Sequence, residues 1–253
     1  MEKNAMRRLY ILSLLIVVLC TSWVQSETVY EDEAEEAYRQ GDFIRAIELY
    51  EKSPSDSNQG FRTYTSYFNL GQAYSQVGNW GRAMLNYHRA LLLAPRDADI
   101  IDRIATVRAI RPDGYAPETG ILEQIGQVTA FFATWELEFF AMIIWSITWW
   151  VGLRFWLNPS NRKRLLLMGL IFVTTISLIL TFSRLYIETY RPLAIVTEAK
   201  IEVLSGAGLD YFPMFSLSTG AEVRIVARNG IWAKISLPDG REGWVRINTI
   251  SPV

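Results

Sequence analysis

The chain has 253 residues, half of them hydrophobic, and its 25 Lys and Arg residues nearly balance its 26 Asp and Glu residues. A net charge of −1 offers no basic face to neutralise phosphates, so we exclude nucleic acid as a partner. The hydrophobic residues are concentrated in three stretches, which indicates membrane segments and leaves about two soluble units.

The first apolar stretch, residues 9–19, follows two arginines and precedes small residues at Val24 and Ser26. This order is typical of a secretory signal peptide, so we predict a signal peptide over residues 1–26 and a mature chain that begins at Glu27. If the segment is not cleaved, the residues after it still lie outside the cell, because the arginines stay on the cytoplasmic side.

A pattern of small and aromatic residues occurs twice in the next part of the chain. The matching pairs are Gly41 and Gly78, Phe43 and Trp80, Ala46 and Ala83, and Tyr50 and Tyr87. Small residues let two antiparallel helices approach closely, and aromatic residues fill the gaps between them. The pattern resembles the tetratricopeptide repeat, a helix-turn-helix unit of about 34 residues. The resemblance implies an all-α domain over residues 27–117, with repeats at about 27–60 and 64–97.

Two repeats are fewer than the three or so that a stable stack usually needs, because each unit leaves one hydrophobic face uncovered. After the second repeat, apolar residues recur at helical spacing; they are Ile100, Ile101, Ile104, Val107 and Ile110. We therefore predict a capping helix over residues 98–110. A connector at residues 118–130 then leads to the second apolar stretch.

The resemblance also implies a partner-binding groove lined by the first helix of each repeat. Its predicted residues are Glu31, Glu35, Tyr38, Arg39, Phe68, Gln72, Ser75 and Gln76. Two interpretations stay open, because these residues either bind a partner protein or form a solvated helix face. The acidic run at residues 31–36 suits the positive end of a helix better than a site for a basic partner.

The second and third apolar stretches predict transmembrane helices at residues 131–157 and 165–185, each long enough to cross the hydrocarbon core. The loop between them, residues 158–164, is short and basic, which places it in the cytoplasm. Both soluble regions then lie on the outer side of an inner membrane. Glu136 and Glu138 lie near the end of the first of these helices that is opposite the basic loop, and we expect them at the membrane interface rather than in an ion relay.

Beyond the third stretch, short alternating segments separated by Asn-Gly and Asp-Gly turns predict an all-β domain over residues 193–253. The predicted strands are 193–197, 200–204, 222–227, 231–236 and 242–245. Five short strands in so short a segment indicate a small closed barrel.

The sequence Asp-Gly-Arg-Glu-Gly-Trp-Val at residues 239–245 is similar to the ending of bacterial SH3-like domains. Within that barrel we expect Trp232 and Trp244 to pack inward and seal the core. Related domains in exported proteins bind cell-wall peptides, so the resemblance implies a ligand loop that includes Asp210 and Tyr211.

The mature chain lacks the usual residues of a catalytic site. The single cysteine, Cys20, lies within the predicted signal peptide, and we expect the single histidine, His88, on the surface of a repeat helix. Without a base beside a nucleophile, a glycine-rich phosphate loop or a set of metal ligands, we predict a protein that is not an enzyme and binds no cofactor.

The order of signal peptide, tetratricopeptide repeats, transmembrane hairpin and SH3-like domain resembles the BatE-type proteins of the Bat aerotolerance family. The resemblance implies a multidomain membrane protein whose partners are von Willebrand A-type Bat proteins and a MoxR-type ATPase, with a role in envelope integrity or stress tolerance. Two hypotheses follow for its function. Either the repeat groove binds another envelope protein and the chain is a scaffold, or the SH3-like domain binds peptidoglycan and the repeats position it.

Overall fold

The computed structural model describes residues 31–52, 63–111, 134–157 and 161–253. The predicted signal peptide, the linker between the repeats and the predicted connector lie outside the described residues, as does part of the predicted cytoplasmic loop. The chain divides into two compact units, residues 1–79 and 80–253.

The first unit contains three helices, α1 over residues 31–39, α2 at Phe43–Lys52 and α3 at Tyr64–Gln76. The chain reverses after α1 at Gly41 and leaves α3 at Gly78, both with φ near +80°. Glycine adopts this left-handed conformation without the steric penalty of a side chain. The two matching glycines of the sequence pattern therefore both end a helix and allow the chain to turn.

Helices α2 and α3 pack together through small and aromatic side chains. The buried residues of the pair include Ala46, Tyr50, Leu70, Ala73 and Tyr74. The hydroxyl of Tyr74 in α3 donates to the carboxylate of Glu51 in α2, which adds a polar contact between the two helices. Small side chains therefore set the helix separation, as the repeat pattern predicts.

The helical part of the second unit contains α4 at Trp80–Leu93 and α5 at Ala98–Ile110. The side chain of Asp97 caps α5 by accepting from the backbone N–H groups of Asp99 and Ile100, at 3.0 and 3.2 Å. Of the five apolar residues that predict this helix, three are buried, Ile100, Ile104 and Val107, whereas Ile101 and Ile110 are about half exposed. Helix α5 therefore packs on α4 along one stripe.

Two long helices follow, α6 at Thr134–Leu157 and α7 at Asn161–Tyr190, and they pack against each other. Their contact includes a hydrogen bond of 2.8 Å between the hydroxyls of Thr148 and Thr174. Most of their large apolar side chains are exposed. By length and composition, Glu136–Trp156 and Arg164–Tyr190 are each able to cross a membrane.

The C-terminal part of the second unit is an antiparallel sheet of seven strands in the order β3-β2-β6-β5-β4-β1-β7. The strands are β1 Leu193–Val196, β2 Lys200–Leu204, β3 Pro213–Ser218, β4 Glu222–Asn229, β5 Trp232–Ser236, β6 Glu242–Arg246 and β7 Ile250–Pro252. A 3₁₀ turn at Ile247–Thr249 joins the last two.

The prediction of five strands is wrong, because it misses β3 and β7, the two edges of the sheet. In β3 only Leu217 is buried, so the alternation of apolar and polar residues is weak. The other missed strand has three residues and ends in Pro252. Edge strands need neither a buried face on every second residue nor a donor at every position, which removes the sequence signal.

The expected inward packing of Trp232 and Trp244 is also wrong. The residues of β5 and β6 that enter the core are Ala233, Ile235 and Val245, all 1% exposed or less. Side chains alternate between the two faces of a strand, so both tryptophans lie on the outer face and are partly exposed. The guanidinium of Arg246 lies over the Trp232 ring, 5.8 Å from its centroid.

Truncating the core residue Ile235 should destabilise the sheet far more than truncating exposed Ile231. We expect Ile235→Ala to lower the free energy of unfolding of the sheet by about 2–5 kcal/mol, because it leaves a cavity. Ile231→Ala should change it by less than about 0.5 kcal/mol. Hydrogen exchange of the β4 and β5 amides in the purified chain measures both values. Equal losses would contradict the assignment of the inward face.

Candidate functional site

The eight predicted groove residues lie on α1 and α3 of the first unit. Those on α1 are Glu31, Glu35, Tyr38 and Arg39, and those on α3 are Phe68, Gln72, Ser75 and Gln76. Within each helix they follow a spacing of four, seven and eight residues from the first, so they form one stripe along each helix. All eight are partly or fully exposed, and they are therefore accessible to a partner.

The start of α3 is joined to α1 by a hydrogen bond from the Ser66 hydroxyl to the carboxylate of Glu31. Ser66 lies in the first turn of α3, where its backbone N–H also donates to the capping hydroxyl of Thr63 at 3.2 Å. This bond links the start of α3 to α1, so the two helices are neighbours at this end. Ser66 precedes Phe68 by two residues, about 200° around the helix, so it lies on the buried face of α3 and not in the stripe. Sequence analysis did not single out Ser66, although it is 4% exposed in the structure.

A buried phenol from α2, that of Tyr50, lies close to the α1 stripe. Burial raises the pKa of the Tyr50 hydroxyl to about 12, against the opposite effect of its hydrogen bond with Asn69 of α3. The charges of Glu35 and Glu31, with the phenol of Tyr38, raise it further. Three of the predicted groove residues therefore gather around one hydroxyl. The α1 side of the groove carries a negative potential.

Other predicted groove residues are engaged within their own helix or with a near neighbour. The guanidinium of Arg39 pairs with Glu36, one turn earlier, at 2.9 Å. The hydroxyl of Ser75 donates to the carbonyl of Gly71 at 3.1 Å. The ring of Tyr38 packs edge-on against Phe43, with the centroids 5.2 Å apart. Within α1, the charge of Arg39 is therefore balanced mainly by Glu36.

The expectation that His88 lies on the surface is wrong. This side chain is 8% exposed, and its Nε2 donates to Oε1 of Glu222 at 2.8 Å. Arg108 binds the same carboxylate twice, through Nε at 2.9 Å and Nη2 at 2.7 Å, and Nη1 of Arg111 lies 3.7 Å from Oε2. The histidine and the glutamate are 134 residues apart, so no local pattern could reveal their contact.

The donors around Glu222 decide its charge. Burial alone raises the pKa of this carboxyl, but the hydrogen bonds and charges of His88 and Arg108 outweigh burial and lower the pKa to about 2. Since His88 and Glu222 are each less than a tenth exposed, the pair does not face a solvent-borne substrate. Its arrangement suits a structural ion cluster, and not a general acid or base.

The predicted ligand loop joins β2 to β3, and both Asp210 and Tyr211 are exposed there. The Tyr211 ring folds back over Gly206, where an added Cβ would lie 2.4 Å from the ring. Leu209 and Phe212 beside it are also exposed, so the loop presents an apolar surface next to one carboxylate. Across the described residues, no group of three or more His, Cys, Asp or Glu side chains could hold a metal ion.

The tetratricopeptide repeat family matches residues 64–97, so these residues form one such repeat, as the sequence predicts. No curated protein matches the chain. Among solved structures, the chain is similar to the first TPR of Spaghetti (RPAP3) bound to the HSP90 peptide SRMEEVD. That similarity has 15% sequence identity and a TM-score of 0.30, and it covers 61% of this chain and 94% of the other.

Proposed function

We propose that this protein is a non-catalytic, membrane-anchored scaffold of the cell envelope that binds a partner protein through the groove formed by α1 and α3. Tetratricopeptide repeats are protein-interaction modules, and one is present at residues 64–97. The observation that carries the proposal is the pair of exposed stripes on α1 and α3, two neighbouring helices that the bond between Glu31 and Ser66 joins. Partly exposed aromatic side chains on both stripes supply the apolar anchors that such interfaces use.

The membrane anchor in this proposal is the hairpin of α6 and α7. Its exposed apolar surface would be costly in water and suits the hydrocarbon core of a bilayer. Arg154 and Arg164, near the bend of the hairpin, are exposed. Basic residues at a short bend favour the cytoplasmic side, so the repeat domain and the C-terminal domain lie on the periplasmic or extracellular side.

The hydrogen bond of Glu136, at the start of α6, supports the expected location of this residue at the membrane interface. Its carboxylate accepts from Arg96 at 2.6 Å, and Arg96 lies in the connection between α4 and α5. A carboxylate paired with the polar end of a helical domain is poorly placed to carry ions through a bilayer.

Partner identity in this proposal follows from the resemblance to BatE-type proteins. The proposed domains are the signal peptide at 1–26, the repeat domain at 27–117, the transmembrane helices at 131–157 and 165–185, and an SH3-like domain at 193–253. A chain of this order would hold von Willebrand A-type membrane proteins of the Bat family in a complex that includes a MoxR-type ATPase. Its physiological role would then be envelope integrity under stress.

Reversing one charge in the groove should weaken partner binding. We expect Glu35→Lys to reduce co-purification of a tagged von Willebrand A-type Bat protein by about tenfold or more, because it inverts the potential beside Tyr38 and Tyr50. Glu33→Lys makes the same change on an exposed position of α1 outside the stripe and should have little effect. Equal binding by both variants, or equal loss, would contradict the groove assignment.

The proposed topology predicts which positions an impermeant maleimide can reach in intact spheroplasts of a Cys20→Ser background. Glu33→Cys and Asn248→Cys, both exposed, should react from outside. Arg164→Cys at the bend should react only after the membrane is permeabilised. The reverse labelling pattern would contradict the orientation.

A second candidate function is peptidoglycan binding by the C-terminal domain. The observation in its favour is the outer face of the sheet, where Trp232 and Trp244 are partly exposed beside Lys234 and Arg246. Lys234 also pairs with Glu242 at 2.6 Å. Aromatic faces next to charged groups are suited to stacking on sugars and bonding to peptide carboxylates.

If the second function is correct, Trp232→Ala combined with Trp244→Ala should abolish co-sedimentation of the purified protein with peptidoglycan. Deletion of residues 193–253 should do the same, and Tyr211→Ala should reduce it if the loop contributes. Ile101→Ala removes an exposed apolar side chain elsewhere and serves as the control. Binding that survives the tryptophan changes would exclude this face as the cell-wall site.

A further inference from the structure

Helix α4 approaches the C-terminal sheet more closely than a side chain would allow at Gly81. A Cβ on this glycine would lie 2.5 Å from Oγ1 of Thr219, 2.7 Å from the carbonyl oxygen of Val196 and 2.9 Å from Cα of Thr197. Two of these three atoms belong to the backbone and cannot rotate away. The first turn of α4 is therefore in direct contact with the end of β1 and with the turn before β4.

Two hydrogen bonds continue this contact along the helices. Nη2 of Arg89 donates to the carbonyl of Pro252 at 3.2 Å, and Nη1 of Arg111 donates to the carbonyl of Gly220 at 3.4 Å. Val107 of α5 lies within van der Waals distance of where a Gly220 side chain would begin. The contact thus involves both helices and three separate parts of the sheet domain.

The carboxylate of Glu222 lies at the centre of this contact. It accepts from His88 on α4 and twice from Arg108 on α5, while it is itself part of β4. A buried carboxylate without such donors would be strongly unfavourable, so its position is tied to both helices at once. The bonds also restrict the position of the sheet along the helices, because a shift would break the paired bonds between Glu222 and Arg108.

We propose that Glu222 is a latch, a side chain that fixes the sheet onto α4 and α5, so that the C-terminal domain covers these two helices and opens together with them as one cooperative unit. This role goes beyond partner binding in the groove. A repeat stack needs its last hydrophobic face covered. Helix α4 is buried at every position from 83 to 88, and both α5 and β1 pack on it.

The Glu222 carboxylate stays charged over the whole physiological pH range. The groups that face the carboxylate are His88 from α4, Arg108 from α5 and Arg111 just after it. Because the pKa of Glu222 falls from an ordinary 4.5 to about 2, its contribution to stability is complete above pH 4.5 and is lost as the pH falls towards 2.

Hydrogen exchange of the full chain in detergent micelles tests the proposal. Glu222→Gln removes the charge and sets an amide against arginine donors. We expect exchange to accelerate by about tenfold or more both in β1 and β4 and in the amides of α4 and α5. Glu202→Gln changes an exposed carboxylate of β2 and should leave all four elements unchanged. Faster exchange in the sheet alone, with α4 and α5 unaffected, would overturn the proposal.

Gly81→Ala provides a second variant that does not touch the ion cluster. Alanine is a better helix former than glycine, so on helix propensity alone α4 should exchange more slowly. The latch proposal predicts the opposite, because the added methyl group would push α4 away from Val196 and Thr219 and speed exchange on both sides of the contact. Slower exchange in α4, with β1 unchanged, would overturn the proposal even if Glu222→Gln fails to fold.

Discussion

A carboxylate that is withdrawn from water stays charged only where donors replace its hydration, and this constraint organises the second unit around Glu222. His88 and Arg108 supply those donors, which requires that α4, α5 and β4 keep fixed positions. The close approach at Gly81 is a further condition of the same arrangement. Hydrophobic burial has no preferred direction, whereas the paired bonds of Arg108 to one carboxylate have a fixed geometry.

Local signals in the sequence predicted much of the secondary structure. The apolar spacing at residues 98–110 coincides with α5, and the segment 200–204 coincides with β2. Helix termini and hairpin turns are encoded by neighbouring residues, as the glycines at 41 and 78 illustrate. The sequence did not reveal the two edge strands, because their residues have no strict alternation of buried and exposed positions.

Long-range relations explain the other errors. Side chains alternate between the two faces of β5, and Ala233 and Ile235 point into the core, so Trp232 points outward. The large size of the tryptophan side chain wrongly suggested that it is buried. The burial of His88 depends on a residue in the last third of the chain. In the groove, helical spacing predicted which residues share a stripe, but not that the phenol of Tyr50 lies among them.

Prolines at both edges of the sheet have a further consequence for the association of two copies of the chain. Pro213 opens one outer strand and Pro252 closes the other, and neither residue has an N–H group to offer to an incoming chain. Two molecules whose sheets meet edge to edge therefore lack some of the backbone hydrogen bonds that strand addition requires. The two prolines therefore disfavour fibre-like association through these edges.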